Sequence, residues 1–136
     1  MMKIGFIGTG LMGLPMAKNL CKSGFKLKVF NRSINKAEPL KEFGAEISKT
    51  LGEVVKGNDF IITMLTDDTA VDAILNNLDL LENLKSGSTV IDMSSVKPTT
   101  AIKYGNSLKS KNVNYLDAPV SGGTIGAEEA SLAIMV

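Results

Sequence analysis

The segment Gly8-Thr9-Gly10-Leu11-Met12-Gly13 constrains the fold of this chain more than any other. It has the spacing GxGxxG, follows the apolar run Lys3–Ile7, and opens a helical pattern that runs from about Leu11 to Lys22, with Gly24 placed to end it. Glycines at that spacing punctuate many tight turns, so the spacing alone says little. Between a strand and a helix, with a second strand at Lys26–Phe30, it reads as the phosphate turn of a strand–helix–strand unit. Gly8 suits the tight turn, Gly10 lets the backbone approach a pyrophosphate, and Gly13 lets the helix pack closely on the strand. The helix start then offers free N–H groups and partial positive charge to an anion. The expectation is a dinucleotide lying over the first helix.

The rest of the chain keeps the alternation of short apolar runs and helical patterns. That predicts an α/β, Rossmann-like fold: a doubly wound, mainly parallel sheet with helices on both faces. Ser33 caps a helix through Phe43, closed by Gly44, and a brief strand falls near Ala45–Ile47. Thr50, with Glu53 three residues on, forms a capping box for a short helix ending at Gly57. Asp59–Leu65 is apolar and β-branched enough for a central strand buried on both faces. Asp67 or Asp68 caps a helix to about Leu75, and NNLDLLENLKSG reads as a short helix between loops. Thr89–Met93 is a strand, Pro98 opens a helix reaching about Lys109, and Asn114–Ala118 is a further strand. Pro119–Thr124 reads as a turn, Ile125–Ala130 as one or two helical turns, and Leu132–Val136 as the start of another strand. A length of 136 residues fits one domain with a core of its own, so residues 1–136 are read as a single nucleotide-binding domain. Its close on the apolar run LAIMV reads as a fragment of a longer protein.

Composition narrows the chemistry. A net charge of +1 supplies no basic excess to neutralise phosphates, which argues against a nucleic-acid binder working by charge. No apolar run approaches the roughly 20 residues that span a bilayer, so no membrane partner is expected. MMKIGFIGTG lacks a signal-peptide core, so the protein is expected to stay where it is made, in the cytoplasm or in an organelle of a eukaryote. The lone Cys21 has no disulfide partner, which suits a reducing compartment, and it reads as a boundary hydrophobe of the first helix. There is no histidine. Any general base is therefore Lys, Asp, Glu or Tyr, or lies outside these residues.

Two further segments bear on binding. About 20 residues past the glycine turn, where NAD enzymes carry an acid for the ribose 2′-hydroxyl, this chain has Asn31, Arg32 and Ser33. With no carboxylate to repel it, a 2′-phosphate can be held by the guanidinium, Ser33 and Asn31, which favours NADP and leaves NAD possible. The plainer alternative makes Arg32 a solvated loop cation that accepts either cofactor. Asp117-Ala118-Pro119-Val120-Ser121-Gly122-Gly123 leaves the C-terminal end of a strand, the edge where open α/β sheets bind ligands. Its hydroxyl and unblocked glycine N–H groups suit a carboxylate or carbonyl oxygen, although a plain structural turn fits the same residues.

Taken together, GFIGTGLMGLPMAKNL, NRS, TMLTDD, IDMSSV and DAPVSGGTIGAEEASLAIMV resemble, in order and spacing, the β-hydroxyacid dehydrogenase family. That family includes 3-hydroxyisobutyrate dehydrogenases and tartronate, succinic and glyoxylic semialdehyde reductases. The resemblance implies an N-terminal Rossmann domain that binds NAD(P). It also implies an all-helical C-terminal domain, absent from this chain, that completes the active site and forms a homo-oligomer. It places Gly8, Gly10, Leu11, Met12 and Gly13 at the pyrophosphate and nicotinamide side, and Asn31, Arg32 and Ser33 at the adenosine ribose. Met64 and Leu65 would line the cofactor cleft, Ser95 would stand near the nicotinamide, and Ser121, Gly122 and Gly123 would grip a small hydroxyacid or semialdehyde. The blander alternatives make Met64 and Leu65 core, and Ser94 or Ser95 a cap for the helix at Pro98. Two departures stand out. Ala130-Ser131-Leu132 replaces a usual Gly-Thr-Leu. The family's catalytic lysine, with a supporting Asn, belongs to a helix downstream of Val136, and none of the lysines here matches it. Two alternatives remain open: an enzyme of the 6-phosphogluconate dehydrogenase type, disfavoured by Gly10 where that group usually carries Ala, and a non-catalytic dinucleotide sensor.

Overall fold

A computed structural model describes residues 2–136. Its first unit is the expected one: β1 (Lys3–Ile7), α1 (Gly13–Lys22) and β2 (Lys26–Phe30). β1 pairs in parallel with β2 on one side and with β4 (Phe60–Thr63) on the other. β3 (Glu46–Ile47) lies outside β2, and β5 (Thr89–Asp92) and β6 (Asn114–Asp117) extend the sheet beyond β4. The result is a six-stranded parallel sheet in the order β3-β2-β1-β4-β5-β6. The winding reverses between β1 and β4, so the loops leaving their C-terminal ends diverge and open a crevice there.

Alternation along each strand separates two cores. Ile4 and Phe6 of β1 pack with Met16 and Ala17 of α1, whereas Ile7 faces the opposite core. There it meets side chains of α2 (Leu51–Val55), α3 (Asp68–Leu75), α4 (Leu78–Asn83) and α5 (Pro98–Lys109). Successive residues of β4 do the same, with Ile61 on one side and Ile62 on the other. A strand buried on both faces draws apolar side chains at successive positions, which is why Ile61 and Ile62 stand side by side in FIIT.

Caps set the helix starts. Thr50 Oγ1 accepts the Glu53 N–H at 3.1 Å, and the Glu53 carboxylate accepts the Lys49 N–H at 3.0 Å, one residue earlier than a closed capping box requires. Asp67 caps α3 by accepting the Ala70 N–H at 2.8 Å. Its neighbour Asp68 caps a different helix: one carboxylate oxygen accepts the Thr100 hydroxyl at 2.6 Å and the Lys97 N–H at 3.0 Å at the start of α5. Those bonds, Thr100 first, hold the Asp68 carboxyl below the usual carboxylate range. Neither Ser94 nor Ser95 caps α5.

Two segments differ from the sequence reading. The expected Ser33–Phe43 helix is a pair of 3-10 stretches, Ile34–Lys36 and Glu38–Phe43, and Ser33 makes no side-chain cap bond. Pro39 has no N–H to return to the preceding turn, so a continuous α-helix is not available across it. The expected Pro119–Thr124 turn contains β7 (Val120–Ser121), paired antiparallel with β8 (Ala133–Ile134), and α6 (Gly123–Glu129) lies between them. Two-residue strands have too little period to announce themselves beside Pro and Gly.

Leu108 of α5 is 0% exposed, whereas Leu78 of α4 is 71% exposed. Leu108→Ala should cost about 2–5 kcal/mol of unfolding free energy through the cavity it leaves. Leu78→Ala should stay within about 0.5 kcal/mol of wild type in urea titrations followed by circular dichroism.

Candidate functional site

The three glycines of the first turn have different neighbours. A Cβ on Gly13 would collide with the Gly8 carbonyl oxygen, and a Cβ on Gly8 would collide with the Met64 carbonyl oxygen. Gly8 also has φ +103°, a conformation that side chains disfavour. These two glycines let α1, β1 and the end of β4 close on one another. A Cβ on Gly10 would meet nothing within 4 Å. In α1, Leu14 is the first residue whose N–H returns to the turn, to Gly10 O at 3.1 Å. The N–H groups of Leu11, Met12 and Gly13 find no protein acceptor among the described residues. Open space over Gly10, bounded by unpaired N–H groups at a helix start, fits a phosphate group.

The loop after β2 is tied to this turn. Asn31 Oδ1 accepts the Thr9 N–H at 2.9 Å, and its Nδ2 donates to Ser33 O at 3.0 Å. The Asn31 amide therefore braces the two loops against each other. Arg32 and Ser33 are exposed beside it. Lys36, which the sequence reading did not single out, sits one 3-10 turn past Ser33, its N–H donating to Ser33 O. Its signal was only its spacing from Arg32.

Met64 and Leu65 follow β4, half-buried, and Ser95 follows β5, exposed. Between them runs a buried polar network absent from the sequence reading. Asp92, 0% exposed, accepts the Thr63 hydroxyl and the Ser94 N–H on Oδ1, at 2.9 and 3.1 Å, and the Tyr115 hydroxyl on Oδ2 at 2.9 Å. Ser94 Oγ in turn accepts the Leu65 N–H at 2.8 Å. Burial first, then the Asp92 charge, pushes the Tyr115 hydroxyl well above its ordinary pKa. Cys21 is half-buried on α1, and burial pushes its thiol up.

Ser121, Gly122 and Gly123 are exposed at the join of β7 and α6, with Gly122 at φ +140° and Gly123 at φ +62°. The Gly126 N–H returns to Gly122 O at 3.0 Å. α1 holds the far end of α6: Asn19 Nδ2 donates to Ala127 O at 2.7 Å. Ala130 then turns left-handed at φ 56°, a conformation that the glycine of the usual Gly-Thr-Leu would adopt without strain.

The structure thus gathers Gly8–Gly13, Asn31–Ser33, Met64–Leu65 and Ser95 along one edge of the sheet, with Ser121–Gly123 beyond β6. A cavity of about 710 Å³ touches Thr9, Gly10 and Leu11 but follows the Leu14, Lys18 and Lys22 stripe of α1, with Lys36 opposite. Asn31, Met64, Leu65 and Ser95 do not line it. The cavity meets the sheet edge at Thr9, Gly10 and Leu11 and otherwise runs along α1. Among the described residues no helix is long and apolar enough to cross a membrane.

Asp117 closes β6 opposite Asp92, with Oδ1 buried and without a hydrogen-bond partner. Burial first, then the Asp92 charge, holds its carboxyl above the usual range. Folding therefore favours its protonated form, and the cost of its charged form appears as pH rises through that raised pKa. Asp117→Asn should melt higher than wild type at neutral pH, and the gap should close as the pH falls to about 4 and below. Thermal melts across that range check both parts.

The family model described as the NAD binding domain of 6-phosphogluconate dehydrogenase matches residues 3–136. The chain is 41% identical over 137 residues to 2-hydroxy-3-oxopropionate reductase of Escherichia coli, covering 99% of this chain and 46% of that protein. It is 36% identical over 135 residues to glyoxylate/succinic semialdehyde reductase 1 of Arabidopsis thaliana, covering 98% of this chain and 47% of that protein. A structure of 3-hydroxyisobutyrate dehydrogenase from Mycobacterium tuberculosis with L-serine matches at TM-score 0.93 and 34% identity, over 99% of this chain and 46% of that one. The chain spans about half the length of the relatives it matches. The reversal of strand order beside an open glycine turn and these likenesses point the same way: the chain belongs to the β-hydroxyacid dehydrogenase family, as a member of the NAD-binding domains described for 6-phosphogluconate dehydrogenase.

Proposed function

We propose that this chain binds NADP in preference to NAD, across the crevice between β1 and β4, as part of an oxidoreductase interconverting a small 3-hydroxyacid and its semialdehyde. The observation that carries the reading is the open space over Gly10 beside the unpaired N–H groups of α1. The dinucleotide supplies or accepts a hydride when bound. The residues of this chain bind and orient: Gly8, Gly10, Leu11, Met12 and Gly13 at the phosphates, Met64, Leu65 and Ser95 toward the nicotinamide. Arg32 and Lys36 are exposed cations on one loop with no carboxylate at the end of β2, which suits a 2′-phosphate. Asn31 serves that loop as its brace, through Thr9 and Ser33. Ser121, Gly122 and Gly123 offer a hydroxyl and backbone N–H groups to the substrate carboxylate and hydroxyl. The family lysine that manages the hydroxyl proton matches no residue here, so residues 1–136 alone should bind cofactor without turnover. The remainder of the active site, and a homo-oligomeric assembly, belong in this reading to a helical domain.

Titration calorimetry with NADPH and NADH at equal salt tests the cofactor. NADPH should bind more tightly, and Arg32→Ala should reduce that preference by about tenfold, the value of a charge-assisted hydrogen bond. Gly10→Ala should leave the thermal midpoint nearly unchanged and weaken both cofactors, because its Cβ occupies the ligand's space and no protein atom's. Tighter binding of NADH would overturn the NADP preference, and undiminished binding by Gly10→Ala would overturn the site.

A further inference from the structure

The side chain that ties most segments together at this sheet edge is one the proposed binding never touches. Asp92 is fully buried, and a carboxylate removed from water is tolerated only when its oxygens are filled by donors. Its three donors come from three places: the Thr63 hydroxyl at the end of β4, the Ser94 N–H in the loop after β5, and the Tyr115 hydroxyl on β6. Ser94 extends the connection, since its Oγ accepts the Leu65 N–H in the loop after β4. Met64 and Leu65 on one side, and Ser95 on the other, therefore depend on one anion for their relative placement.

We propose that Asp92 is a positioning residue for the nicotinamide half of the cleft: it sets the Met64–Leu65 loop against the Ser95 loop without meeting the cofactor itself. This rests on the reading of the crevice as a dinucleotide site. The adenosine half is held by different contacts, the Asn31 brace to Thr9 and Ser33, and none of these involves Asp92. A defect at Asp92 therefore weakens one half of the cofactor and spares the other, which a general loss of stability would not do.

The experiment measures dissociation constants of NADPH and of 2′,5′-ADP, the adenosine half alone, for wild type, Asp92→Asn and Ser94→Ala. The rise in nicotinamide fluorescence on NADPH binding is recorded in the same samples. Asp92→Asn turns one acceptor oxygen into a donor facing groups that already donate. Ser94→Ala leaves the anion in place and removes only its link to the Leu65 N–H. Both should weaken NADPH by about tenfold and lower its fluorescence rise, with 2′,5′-ADP changed by less than about twofold. Equal weakening of the two ligands, or unchanged NADPH affinity, would overturn the proposal. If Asp92→Asn does not fold, Ser94→Ala decides by the same criteria. Wild type binding NADPH no more tightly than 2′,5′-ADP would overturn the positioning role and keep the adenosine site. Wild type binding neither would overturn the dinucleotide reading itself.

Discussion

The contact between α1 and β1 at Gly13 and Gly8 is the one on which the other arrangements rest. A single methyl at Gly13 would drive the helix off the Gly8 carbonyl, and a methyl at Gly8 would drive off the end of β4. With the helix seated, Met16 and Ala17 reach Ile4 and Phe6, and that face of the sheet closes. The helix start then stands over the strand ends with its first N–H groups unspent. Packing and the proposed binding share one turn but use different glycines. The outer two remove atoms so that protein can approach protein, and the middle one leaves room for something else.

Parallel pairing does the remaining assembly. Because β2, β1, β4, β5 and β6 point the same way, Asn31, Gly8, Met64, Ser94 and Ala118 all emerge on one edge. The polar groups at that edge are largely committed to each other. The Asn31 amide spans two loops and the Asp92 carboxylate collects donors from β4, from the loop after β5 and from β6. What they leave free is backbone N–H and the exposed side chains of Arg32, Ser33, Lys36 and Ser95. The sheet edge is therefore a hydrogen-bonded polar frame carrying unspent donors, the arrangement that a preorganised anion site requires.

Much of this was legible in the residues. The bounds of β1 and β2, and of the helix opened by Pro98, follow from apolar runs and local capping chemistry, and the structure reproduces them. Local signals failed where the deciding partner was distant or the element too short. Pro39 interrupts a pattern that otherwise reads as a helix, and β7 exists only because β8 returns to meet it. The structural bond that Asn31 makes was out of reach of local reading. Its partner Thr9 lies 22 residues away and appears only when β1 and β2 are laid side by side. The Asp92 network depends likewise on register: Thr63 and Asp117 become its neighbours only once β4, β5 and β6 are aligned.

The tether from Asn19 to Ala127 has a consequence for the order in which the chain takes shape. It joins residues 108 apart, so its loop-closure entropy is recovered only after the strands between them have paired. The lobe holding Ser121, Gly122 and Gly123 therefore docks late, onto a helix that is already in place. Its strands are two residues long and its helix ends at a strained Ala130, so little within it resists undocking. By this ordering Ser121, Gly122 and Gly123 join the fold after the glycine turn between β1 and α1, which lies in the part that assembles first.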